Sequence, residues 1–128
     1  MGTQIVRREM LADGQIVCYR FDTLGTQAAE EWFTDVTQSF YDWTDGKPFL
    51  MLIDVRGADN FLSAEAMMRA RQVSGLRREL TGKTAILIDK TESAENLILF
   101  TDKALQSTRA REVFDSEAAA VEWLLKPE

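Results

Sequence analysis

The 128-residue chain contains no histidine and a single cysteine, and these two shortages exclude more chemistry than any motif in it supports. Without an imidazole there is no Ser–His or Cys–His nucleophile pair, and most zinc sites lose their usual nitrogen ligand. Cys18 has no second cysteine for an intramolecular disulfide. It falls inside an apolar, strand-like stretch with no imidazole to activate it, so it reads as a packing residue. Long apolar runs are missing as well. None approaches the ~20 residues of a membrane span, and Met1 to Met10 has no apolar core of the kind a secretory leader carries, so a cytoplasmic protein is expected. Positive charge is the minority sign, with 15 Lys and Arg against 21 Asp and Glu. The resulting net charge of -6 repels phosphate backbones and anionic lipid heads, so neither nucleic acid nor a membrane surface is an expected partner. No clustered metal ligands are present, and no metal or other cofactor is expected.

What is present is an ordinary globular composition, 45% hydrophobic and 28% charged. A chain of this length buries roughly two thirds of the surface its unfolded form exposes. No internal repeat or linker divides it, so residues 1–128 read as one domain. Phe49-Leu50-Met51-Leu52-Ile53-Asp54 is an unbroken apolar run, released from the turn residues Gly46-Lys47-Pro48 and closed by Val55-Arg56-Gly57. A run without polar alternation is what a strand covered on both faces requires, and such strands belong to parallel sheets flanked by helices. It is expected at the centre of the sheet.

Before it, Ile5–Leu11 and Ile16–Phe21 flank Asp13-Gly14, a pair suited to the positive backbone angles of a hairpin turn. Thr26 is expected to cap a helix running to about Trp43. Glu30 and Glu31 would lie in its first turn, and Ala29, Trp32, Phe33, Val36, Phe40 and Trp43 along one stripe. Tyr41 falls off that stripe and should be exposed. After the central strand, Ser63 is the cap of a second helix with Ala66, Ala70, Val73, Leu76 and Leu80 on one face and a kink or early end near Gly75. Thr84–Ile88 is another covered strand, Ala94 to about Leu105 a further helix, and Arg111–Phe114 a short last strand. Asp115 or Ser116 caps a final helix with Ala119, Ala120, Trp123 and Leu124 inward. A hairpin followed by alternating helix and strand implies right-handed crossovers. The expected class is α/β: a single-layer mixed sheet with an N-terminal β-hairpin and parallel central strands, flanked by about four helices.

In open α/β sheets ligands gather beyond the carboxyl ends of the strands, which points to the stretch from Asp54 to Ser63. Asp54, Arg56, Gly57, Asp59 and Asn60 are the interaction candidates there. Asp54 could accept a phosphoryl group, yet the magnesium for such a step needs an acidic pair after an earlier strand, and Ile16–Phe21 is followed by one acid, Asp22. Its simpler role is to accept hydrogen bonds from the loop through Gly57. Arg69, Arg71, Arg77, Arg78 and Lys83, with Glu79 the only acid between them, form the one basic region. Such a region is either a contact surface or a solvated face paired with neighbouring acids.

The order of elements, with Leu52-Ile53-Asp54-Val55-Arg56-Gly57 and the ending Val113-Phe114-Asp115, Ala119, Ala120 and Glu122-Trp123-Leu124, resembles the STAS family, specifically its SpoIIAA-like branch, over nearly the whole chain. In the anti-sigma-factor antagonists of that family, a partner kinase phosphorylates a Ser at the start of the helix after the central strand, and the phosphate switches partner binding. Their element is of Asp-Ser-Ser-Gly type, and this chain reads Leu62-Ser63-Ala64-Glu65. Ser63 matches the first Ser, and Ala64 stands where the usually phosphorylated Ser would be. The resemblance implies a non-enzymatic regulatory or protein-interaction module with a protein partner and without the usual phosphoserine switch. Ser63 is the one switch candidate and otherwise a plain helix cap. The alternative is a carrier or sensor of a small apolar or lipid-like ligand, suggested by the aromatic stripe and by Met51, Met67 and Met68.

Overall fold

The hairpin forms around three consecutive residues in the left-handed region. In the computed structural model, which describes residues 6–22, 26–44, 46–56, 68–69, 71–73, 75–77, 79–88 and 110–126, strands β1 (Val6–Leu11) and β2 (Ile16–Phe21) pair antiparallel, ending at Leu11↔Ile16. The turn has φ of 52° at Ala12, 57° at Asp13 and 85° at Gly14, and the Gly14 amide donates to the Leu11 carbonyl at 3.2 Å. Gly14 adopts that region at no steric cost and Asp13 tolerates it. Ala12 does not favour it and is held there by the strand pairing on either side.

Helix α1 (Thr26–Asp42) follows. Thr26 is itself helical rather than the residue ahead of the helix. The first turn therefore contains no acid, contrary to expectation, and Glu30 and Glu31 lie one turn further in. Their partners are lateral: Glu30 receives Arg69, and Glu31 accepts the Val6 amide at 3.4 Å. The expected stripe is the buried one. Ala28, Ala29, Trp32, Val36 and Phe40 are buried, Phe33 and Trp43 pack at its margin, and Tyr41 is exposed. The Phe40 ring stacks on Phe49 at 4.0 Å, fixing the helix over the sheet.

Strands β3 (Phe49–Asp54), β4 (Gly82–Leu87) and β5 (Ala110–Phe114) complete a five-stranded sheet in the order β1-β2-β3-β4-β5, with β2 to β5 parallel. The apolar run is thus the middle strand, and five of its six residues are buried. At the start of β4, Gly82 approaches β3 so closely that a Cβ there would overlap the Phe49 backbone. The last helix, α2 (Glu117–Leu125), is capped by Ser116, whose hydroxyl accepts the Ala119 amide at 3.3 Å. Its buried positions are Ala120 and Leu124, one helical turn apart, with Val121 and Trp123 flanking. Ala119 is exposed rather than inward, because it lies about 100° around the helix from Ala120.

Alternating side chains divide the core into two layers. Val17, Tyr19, Phe49, Met51 and Ile86 pack under α1, while Ile16, Cys18, Leu50, Leu52, Ala85 and Leu87 pack under α2. The described residues contain α1, α2 and further helical residues at 68–69 and 71–73, against about four helices expected. The expected helix from Ser63 ends early, turning at 75–77 where Arg77 has φ 42°. Its start, Ser63 included, and the helix expected from Ala94 lie outside the described residues. Among the described residues, no helix is long and apolar enough to cross a membrane.

Candidate functional site

Asp54 ends the middle strand on the α2 side of the sheet, directly across from Arg20 at the end of β2. That register brings a carboxylate and a guanidinium together at the strand ends. Arg20 Nη1 donates to Asp54 Oδ2 at 2.7 Å and to Glu117 Oε1 at 2.9 Å, and its Nε donates to Glu9 Oε2 at 3.2 Å. Arg56 folds back on the same carboxylate. Its amide and Nε reach Oδ1 at 3.0 and 3.1 Å, its Nη2 reaches Oδ2 at 3.1 Å, and Nη2 also meets Glu117 at 3.3 Å. Glu117 is placed for this by α2, where an acid in the first turn is favoured by the helix dipole.

Asp54 therefore accepts four hydrogen bonds, the full capacity of a carboxylate. Its side chain is 9% exposed, against 39% for Arg56 at the rim. Burial pushes the Asp54 carboxyl up, but the bonds from Arg56 and Arg20 outweigh that and hold it below its ordinary range. The hydrogen bond to Glu117, together with those to Asp54 and Glu9, raises Arg20 above the usual guanidinium value, and the bond to Asp54 raises Arg56. Two guanidinium groups and three carboxylates interlock here, with one negative charge in excess. The arrangement fastens α2 to the ends of β2 and β3. It leaves no lone pair of Asp54 uncommitted for nucleophilic chemistry.

Asp54 and Arg56 are the interaction candidates that the structure brings together. Gly57, Asp59, Asn60, Ser63 and Arg78 lie outside the described residues. The basic region does not make a single surface. Arg69 donates Nε to Glu30 at 2.9 Å and lies 4.5 Å from the Phe33 ring centre, which ties it to α1. Arg77 Nη1 donates to the carbonyls of Phe40 and Trp43 at 2.9 and 3.0 Å, closing the carboxyl end of α1. Lys83 is buried on the opposite side of the sheet. Its Nζ donates to the carbonyls of Trp123 and Lys126 at 2.8 and 2.7 Å, closing the end of α2, and sits 5.1 Å from the Trp123 ring centre. Neither helix has a basic residue in its own last turn, so each borrows a cation from elsewhere in the chain. Arg71 is exposed.

Sequence reasoning missed Arg20, Glu117 and Glu9 as members of this cluster. A usable signal was a lone arginine inside the apolar stretch Ile16–Phe21, since a half-buried cation requires partners. Burial pushes the Cys18 thiol up to about 11, with nearby Arg20 opposing, in keeping with a packing role. No family model matches the chain, and neither a curated protein nor a solved structure matches it.

Proposed function

We propose that the chain is a non-enzymatic interaction module of STAS-like type, whose contact surface is the carboxyl end of β3 from Asp54 and Arg56 into the segment up to Ser63. The observation that carries this reading is the saturation of Asp54 by two guanidinium groups. A carboxylate so engaged cannot move a proton or attack an electrophile without dismantling the attachment of α2. It can hold the rim residue Arg56 in a fixed pose for recognition. The hairpin followed by parallel strands, and helices on the two faces, support the STAS-like part of the proposal.

The carrier alternative loses its main motive, because the aromatic stripe of α1 is consumed in packing against the sheet. Two clefts, of about 290 and 410 Å³, are lined in part by charged groups: Lys83 and Lys126 in the first, Arg8, Glu30, Glu31 and Asp35 in the second. The first also carries Pro48, Leu50, Leu124 and Leu125, so its wall is mixed rather than apolar throughout. The test is capture of a protein partner from cells that express the chain natively, followed by single substitutions. Arg56→Glu should release the partner, Glu122→Lys on the exposed side of α2 should keep it, and Ser63→Asp should keep it if the phosphoserine switch is absent. A stoichiometric apolar molecule found on the purified chain by native mass spectrometry would overturn the proposal in favour of a carrier.

A further inference from the structure

The sheet ends at β1, and among the described residues no strand lies beyond it. Arg7, Arg8, Glu9 and Met10 in this strand are exposed, Met10 by 50%. An edge strand presents outward N–H and C=O groups that template pairing with another chain. We infer that β1 is the docking surface for a second copy of this chain, the two β1 strands pairing antiparallel about a two-fold axis at Arg8.

Symmetry restricts the registers. A two-fold normal to the sheet keeps every side chain on its own face, so a residue can stand opposite only residues an even number of positions away. Two registers of this kind overlap five residues of Val6–Leu11. Centred on Glu9, the pairing sets Glu9 against Glu9, Arg8 against Met10 and Arg7 against Leu11, with no complementarity. Centred on Arg8, it sets Arg7 against Glu9 twice on one face and Val6 against Met10 twice on the other. Opposite-charge and apolar cross-strand pairs are what stabilise a ladder, and this register alone supplies both.

The like charges at its centre are offset, because each Arg8 lies 3.5 Å from Asp35 of its own chain. Existing contacts leave the Arg7–Glu9 pairs accessible. Arg7 meets Asp22 at 3.4 Å with both side chains more than half exposed, and Glu9 takes Arg20 through Oε2 at 3.2 Å. Glu31 takes the Val6 amide at the end of the strand, so the shared ladder proceeds without that donor. An edge of this length is small beside the interfaces of permanent oligomers, which makes the dimer a concentration-dependent equilibrium.

Sedimentation of the full chain over a range of concentrations tests this with two charge reversals. Arg7→Glu alone or Glu9→Arg alone replaces two attractive pairs by two repulsive ones and should weaken the dimer about tenfold or more. Mixing the two variants restores attraction at both places and should restore the dimer as a heterodimer. A wild-type chain that stays monomeric at the highest attainable concentration, a dimer that survives Arg7→Glu, or a mixture that stays monomeric would each overturn the proposal. Glu9→Arg also deprives Arg20 of a partner. If that variant does not fold, hydrogen exchange decides alongside Arg7→Glu. Amides of β1 protected only at high concentration support the interface, and concentration-dependent protection confined to other elements overturns it.

Discussion

Replacing Lys83 by Met keeps most of the length and volume of the side chain and removes only its charge and its donors. The ammonium donates to two carbonyls at the end of α2, at 2.8 and 2.7 Å. Hydrogen bonds from a charged group contribute about 1.5–3 kcal/mol each, so losing both sets an upper bound of about 3–6 kcal/mol. Three features reduce it. The Trp123 carbonyl keeps the Lys126 amide at 3.3 Å, the exposed Lys126 lets water reach its own carbonyl, and the variant no longer has to desolvate a cation. The expected net loss is about 1–3 kcal/mol, read as a lower urea midpoint at unchanged slope. Because Lys83 is only 7% exposed, the loss should persist in 1 M salt, which screens surface pairs down to a Debye length of about 3 Å. A loss below about 0.5 kcal/mol, under even a typical neutral hydrogen bond, or one that disappears with salt, would refute the argument that this lysine closes the helix.

Three further outcomes follow from the same geometry. The Asp54 carboxyl is held below its unfolded value of about 3.9, so its contribution is complete above that pH and is lost as the pH falls through the folded value; acid titration of stability should be steeper for the wild type than for Asp54→Asn, and equal slopes would count against the network. Gly82→Ala would force a methyl group into the Phe49 backbone and separate β3 from β4, so the soluble, cooperatively folding fraction should collapse; a variant with wild-type stability would show that this approach is not tight. Leu52→Ala empties a fully buried position in the middle strand and should cost about 2–5 kcal/mol in denaturant unfolding, and a loss below about 1 kcal/mol would contradict its place at the centre.

The parts of the molecule legible in the sequence are those where hydrophobic periodicity carries the structure. Phe49 to Asp54 reads as a covered strand because it lacks alternation, and the stripe from Ala29 to Trp43 reads as a helix face because it recurs every three to four residues. Charged side chains obey no such period. Arg20 finds Glu117 across 97 residues of sequence, and nothing near either residue announces the other. Arg77 and Lys83 read as members of a basic patch because they are close in sequence. In the structure they complete helices on opposite sides of a sheet, which only the path of the chain reveals. Asp54 is recognisable from sequence as a strand-end acceptor. The two arginines that occupy it follow from the β2–β3 register, which periodicity does not specify.

The two borrowed cations also constrain the order in which the molecule assembles. Arg77 serves carbonyls 37 and 34 residues before it, and Lys83 serves carbonyls 40 and 43 residues after it, yet the two donors are separated by only a short lead into β4. The added side-chain contacts at both helix ends form only when that lead has docked, and docking it links the two layers. If these long-range contacts close after the folding transition state, weakening either cation should speed unfolding while leaving the folding rate almost unchanged, and a slowed folding rate would show that they close earlier. The segment around β4 thus ties the two sides of the sheet to each other although their apolar cores are separate.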